Sequence, residues 1–264
     1  MQKLYFIGIL VFLHACQAKG PPSYLDQALE LAGENRYELE KVLRFYSRDP
    51  GDSLKYKAAC FLIENMAHHY YYDGEQLEKY QDYYKALHNH KKKSADPVKI
   101  LDSISNLHGA FSLDHLTPRY DLKELDSAYL CNNIEWSFKV WEEQPWGKSV
   151  SFEDFCEYIL PYRVGNEKPS DWKPIFYEKY NHHLAPLLDS TYSDRDDPVV
   201  AVRLLMDSIA NHDSIFFTMT APPGYPHVGA RTAIYQSGSC REFTDFAIYV
   251  CRALGIPCHI DFMI

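Results

Sequence analysis

Residues 239–257 constrain this chain more than any other stretch. Ser239 and Glu242, three apart, form the Ser-x-x-Glu pattern of a capping box. Ser239 is therefore predicted as the N-cap and Cys240 as the first helical residue. Phe243, Ala247, Val250, Cys251 and Leu254 then recur at helical spacing, and Gly255-Ile256-Pro257 ends the helix. At about 100° per residue, Cys240 falls in line with that apolar stripe. Its thiol is thus expected to face a sheet packed on the helix. A cysteine at this position meets the partial positive charge and unpaired amides of a helix N-terminus, which favour the thiolate. Its own backbone N–H has no intrahelical acceptor and is a candidate oxyanion donor. Gly238, just before it, is expected to let a substrate backbone approach closely.

The flanks suggest an α+β fold. Asp197-Pro198 is a strong helix start, and Val199, Val202, Leu205, Met206 and Ile209 give that helix its apolar positions. A strand at Ile215–Met219, a Pro/Gly-rich loop from Ala221 to Gly238, the Cys240 helix to Leu254 and a strand from Cys258 to Ile264 follow. From Tyr24 to Tyr192 the pattern is helical, with a break near Gly33, a turn at Asp49–Asp52 and Ser53 as an expected N-cap. Further helices are predicted at about 75–90, 97–107, 123–143, 151–160 and 170–180. Thr117-Pro118 is read as a helix breaker or starter. The division that results is a helical region over 24–196 and an α+β core over 197–264.

The N-terminus carries its own signal. Lys3 precedes a ten-residue apolar run, Leu4–Leu13, too short to span a bilayer but suited to an export signal. Leu13-His14-Ala15-Cys16 resembles a bacterial lipobox, with His14 an atypical occupant. That resemblance implies a signal peptide over 1–15, lipidation at Cys16, a tether over 16–23 and a protein held to a membrane on the exported side. Several acyl chains on one residue give stable anchoring. Cys60, Cys131, Cys156, Cys251 and Cys258 lie among apolar residues without framework spacing and are read as small buried hydrophobes.

Composition narrows the partners. The formal charge of −9 argues against nucleic-acid binding, which needs a basic face. The 21 tyrosines are better explained by core and boundary packing than by ligand stacking. His68-His69 and His182-His183 are adjacent, so none presents two imidazoles on one helix face, and no metal or cofactor is expected. Lys91-Lys92-Lys93 is read as a solvated helix end.

Gly238-x-Cys240-x-x-Phe243, followed by Arg252-Ala253-Leu254-Gly255-Ile256-Pro257 and an apolar segment, resembles the nucleophile half of a transglutaminase-like core. The string from Phe155 to Glu167 also resembles a stretch of exported transglutaminase-like proteins of Bacteroidetes-type bacteria, without chemistry that its residues disclose. The resemblance implies a capped cysteine helix packed on an antiparallel sheet, with Cys240 attacking a carboxamide or peptide carbonyl. The acyl-enzyme then passes to an amine or to water, with a histidine base and an orienting acid. In the family that histidine comes on a later strand, so these residues are expected to be a truncated part of a longer chain. His227 and His259 do not match the family position. Tyr235 and Gln236 are candidate polarisers of a carbonyl oxygen near Cys240, with polar loop residues as the simpler reading. The substrate implied is a peptide, protein or glycopeptide. The rival reading is a non-catalytic surface module that binds peptide or glycan.

Overall fold

The computed structural model describes residues 23–75, 77–90, 96–109, 112, 114, 116–189, 191–213, 215–220, 227 and 229–260. The export signal, Cys16, most of the tether, Lys91-Lys92-Lys93, 221–226 and the end of the expected last strand lie outside them. The chain is mixed α+β and mostly helical. In order it forms α1 (Tyr24–Leu31), α2 (Arg36–Tyr46), α3 (Ser53–Asn65), β1 (Tyr70–Asp73), α4 (Leu77–His90), α5 (Pro97–His108), β2 (Thr117–Tyr120) and α6 (Asp121–Glu124). There follow α7 (Ser127–Glu143), α8 (Phe152–Tyr158), α9 (Trp172–Tyr180), α10 (Ala185–Leu188), α11 (Pro198–His212), β3 (Phe216–Phe217), α12 (Ala230–Ala233), β4 (Ser237–Gly238) and α13 (Cys240–Ala253). Among the described residues no helix is long and apolar enough to cross a membrane.

Local chemistry sets most helix starts. Asp96 and Asp197 each precede a proline at the first helical position and accept the amides of Val98 and Val199 at 3.0 and 2.8 Å. Asp126 and Ser151 cap α7 and α8 without a following proline, by accepting the amides of Tyr129 and Asp154. Ser23 closes a capping box with Asp26, so it belongs to α1 and not to a tether. Ser53 is the first residue of α3, whose N-cap is Asp52 with no side-chain cap bond; the side-chain cap is at Asp49, whose carboxylate takes the Gly51 amide at 2.8 Å and opens the 3-10 turn before α3.

The strands depart from expectation. Thr117-Pro118 opens β2, which pairs antiparallel with β1, Tyr70 opposite Tyr120. The strand expected over 215–219 contracts to two residues and pairs parallel with β4, Phe216 opposite Ser237. The strand contact beside α13 is thus parallel, not the antiparallel sheet that was expected. The loop before Gly238 contains α12, and residues 256–260 run on without strand pairing among the described residues.

Two apolar cores form. One joins α1, α2, α3, α7 and α8 through Leu39, Ile63, Ile134, Phe138 and Phe155. The other gathers Trp146, Trp172, Phe176 and Tyr180 with Leu205 of α11 and Tyr249 and Val250 of α13. The second core draws on residues from both sides of position 197, where the two regions were expected to divide. Trp146 shows the coupling: its indole N–H donates to the Leu254 carbonyl at 2.9 Å, which closes the end of α13.

Candidate functional site

Cys240 is the first residue of α13, behind the capping box of Ser239 and Glu242. The Ser239 amide and hydroxyl both donate to Oε2 of Glu242, at 2.8 and 2.7 Å. The β3–β4 pair holds the approach to the helix: the Phe216 amide donates to the Gln236 carbonyl at 3.0 Å and the Thr218 amide to the Gly238 carbonyl at 2.8 Å. Gly238 has φ +144°, and a Cβ there would lie 2.6 Å from Glu242 Cγ. The missing side chain therefore makes room for Glu242, not for a substrate, as the sequence had suggested.

Cys240 is exposed, whereas the other five cysteines of the described residues are buried or half-buried. This reverses the expected orientation. Helix α13 buries Glu242, Asp245, Phe246, Tyr249 and Ala253 against α9 and α12. That face lies roughly 180° around the helix from Cys240. The stripe in line with the thiol is open at its start, where Thr244 is exposed and Phe243 and Ala247 are half-buried, and closes only from Val250 onward. A stripe of small and apolar residues alone could not disclose this, because α13 is apolar on two faces. Beside the open face, Phe217 stacks on Phe243 with ring centres 6.1 Å apart. Ile215, Phe217 and Met219, at alternate positions, are all exposed.

A second polar constellation sits on the flank of α13. His227 Nδ1 lies 2.8 Å from Asp245 Oδ2. The Asn166 side chain accepts the His227 amide at 3.0 Å, and Gly165 leaves the space that the imidazole fills. Burial raises the Asp245 pKa, against the opposing pull of His227. His227 borders a cavity of about 210 Å³ whose walls include Asp73, Leu77, Lys168, Ala230 and Arg231. Asp245 lies about 140° around α13 from Cys240, so His227 is oriented on a different side of the helix from the thiol. Sequence reasoning missed this pair because residues 165, 166, 227 and 245 share no local spacing.

The string from Phe155 to Glu167 now has a physical role. Arg163 Nη1 donates to buried Asp121 at 3.0 Å and Nη2 to the Tyr70 carbonyl at 2.5 Å, while the Tyr162 hydroxyl donates to Asp121 at 2.6 Å. Glu167 turns back to accept the amides of Val164 and Gly165 at 2.6 and 2.7 Å and the Tyr249 hydroxyl at 2.5 Å. These contacts tie β1 and α6 to the middle of α13.

The other candidates are placed away from the thiol or already engaged. Gln236 is buried, with φ +48°, and its amide nitrogen donates to Asp213 and to the Tyr180 hydroxyl. Both its N–H bonds are thereby engaged, which removes it as an oxyanion donor. The Tyr235 ring lies against His88, whose Nδ1 is 2.8 Å from the Tyr235 carbonyl. His259 is exposed at the far end of α13, against Tyr158. Among the described residues no cluster of three or more His, Cys, Asp or Glu is arranged to hold a metal ion. Comparison with protein-family models, curated proteins and solved structures gives no match to this chain.

Proposed function

We propose that this is an exported, lipid-anchored protein with a transglutaminase-like core, in which Cys240 performs thiol-dependent acyl transfer or amide hydrolysis on a peptide, protein or glycopeptide. The observation that carries the reading is the placement of Cys240: exposed, first in a 14-residue helix and behind a reciprocal cap. A helix N-terminus is the kind of place that favours a thiolate, and the Cys240 backbone N–H at the first helical position is the candidate oxyanion donor. The thiolate attacks the carbonyl carbon, the amine leaves with a proton, and water or a second amine releases the acyl group. A histidine base has to approach on the open face of α13, since His227 is held on the flank by Asp245. Hydrolysis is favoured over crosslinking because the thiol opens to solvent.

The test is competitive alkylation of the full chain near pH 7, read by peptide mass spectrometry. Cys240 is expected to label ahead of Cys60 and Cys131, and to be the residue captured by a peptide bearing an acyl electrophile. Labelling no faster than Cys60 or Cys131 sinks the nucleophile. Incorporation of labelled fatty acid that is lost in Cys16→Ala tests the anchor, and retained label refutes it.

A second reading has its own observation. Ile215, Phe217 and Met219 present apolar side chains beside Cys240, which suits a surface that holds an extended peptide without cleaving it. Peptide binding undiminished in Cys240→Ala, together with no turnover by the unaltered chain, selects this reading.

A further inference from the structure

The cavity of about 210 Å³ beside His227 is walled by the turn from β1 into α4, by α12 and by residues 168–170, and Cys240 does not line it. It is small beside drug-sized pockets of roughly 300–1,000 Å³, and so suits a ligand no larger than a dipeptide. Leu77, Pro169 and Ala230 supply its apolar wall. Its charged groups differ in whether they have a partner. Lys168 is paired with Asp73 at 2.9 Å, so those two charges offset one another. Glu78, in the first turn of α4, and Arg231, on α12, make no ion pair or side-chain hydrogen bond among the described residues, with each other or with any other group. Helices α4 and α12 are packed together, which holds these two opposite charges around one space. His227 adds a third polar group. Its Nδ1 lies 2.8 Å from Asp245 Oδ2, and a carboxylate there takes the Nδ1 proton. The neutral imidazole then keeps its lone pair on Nε2, which no other described group engages. The lining thus carries two free acceptors, Glu78 and His227, and one free cationic donor, Arg231.

We propose that this cavity binds a small zwitterion, a free amino acid or dipeptide whose ammonium and carboxylate bridge Glu78 and Arg231. The planar guanidinium takes the carboxylate through paired N–H donors, and Glu78 takes the ammonium together with His227 Nε2. A ligand of one sign leaves a like charge facing it: an anion meets Glu78, and a cation meets Arg231. Asp245 is a positioning residue, which holds the imidazole so that Nε2 stays an acceptor. No bond is made or broken in the cavity. This inference does not depend on Cys240 being a nucleophile.

Alanylalanine is the probe, titrated into the full chain and read by calorimetry. Its N-acetyl form lacks the ammonium, and its C-terminal amide lacks the carboxylate. Each blocked form is expected to bind at least about tenfold more weakly than the free dipeptide, the worth of a lost charge-assisted hydrogen bond. Arg231→Gln is expected to weaken the free dipeptide to the level of the amide, and to leave binding of the amide unchanged. Glu78→Gln is expected to do the same with respect to the N-acetyl form. Both side chains are exposed, so neither change disturbs a core. The proposal is overturned if the free dipeptide gives no binding at about 10 mM, or if both variants bind it undiminished. It is equally overturned if a blocked form binds as tightly as the free one, which would make the cavity a plain anion or cation site. The blocked dipeptides need no variant, and none of these results bears on the alkylation of Cys240, so the two readings fail separately.

Discussion

Glu242 shows how much one side chain can fix at a helix start. Its carboxylate takes both donors of Ser239, and its stem covers the site where a Gly238 Cβ would be. Ser239→Ala is expected to cost about 1 kcal/mol, the ordinary worth of an N-cap. Gly238→Ala is expected to cost about 1–3 kcal/mol, because the new methyl group meets both a φ of +144° and the Glu242 side chain. Urea unfolding of the two variants checks the order, and a milder effect for Gly238→Ala would mean that Glu242 moves aside freely. The capping box was legible because it joins residues three apart and uses only local chemistry. The role of Gly238 was not, since it depends on where a side chain four residues later comes to rest. Gln236 was misread for a similar reason: its partners, Asp213 and Tyr180, are distant in sequence.

Among the elements, the helices were legible and their faces less so. Caps and prolines at Asp96, Asp197 and Ser151 announce α5, α11 and α8. Strands β1 and β2 were hidden, because a run of three tyrosines and a Thr-Pro-Arg-Tyr segment find their pattern only by pairing with each other. They are held in place by Arg163, which reaches Tyr70 of β1 and Asp121 of α6 together. Arg163→Met strands a carboxylate that is wholly enclosed, and is expected to cost about 3–5 kcal/mol. Adding Asp121→Asn should recover part of that loss, since the uncompensated charge goes with it. Chemical denaturation of the single and double variants measures the recovery. A double variant no more stable than Arg163→Met would place the cost in lost packing and not in the buried charge.

For the whole molecule, the two cores explain why a boundary drawn from sequence at 197 does not part the structure. Trp146, Trp172 and Phe176 precede it, yet pack with residues from α11 and α13 that follow it. The periodicity of each helix shows that it buries a face but not which other helix receives it. Two groups on elements that line different cores should make stability fall with acid in separate windows. His183, buried beside Ser208 and next to His182, has its pKa lowered chiefly by burial. The unfolded chain accepts a proton there more readily than the native one, so stability falls as pH drops below about 6.5. Glu38 joins α2 to α7 by accepting the amide and hydroxyl of Ser127 at 3.1 and 2.7 Å, and it also pairs with Lys41. Hydrogen bonds from Lys41 first, then from Ser127, pull its pKa from 4.5 to about 2. Its contribution is therefore complete above about pH 4.5 and lost as pH falls toward 2. Unfolding free energies from urea melts across pH 7 to 3 should show His183→Gln flattening the upper limb alone and Glu38→Gln the lower limb alone. If both variants altered the same limb, the acid response would be one global charging of the molecule, and neither local contact would govern it.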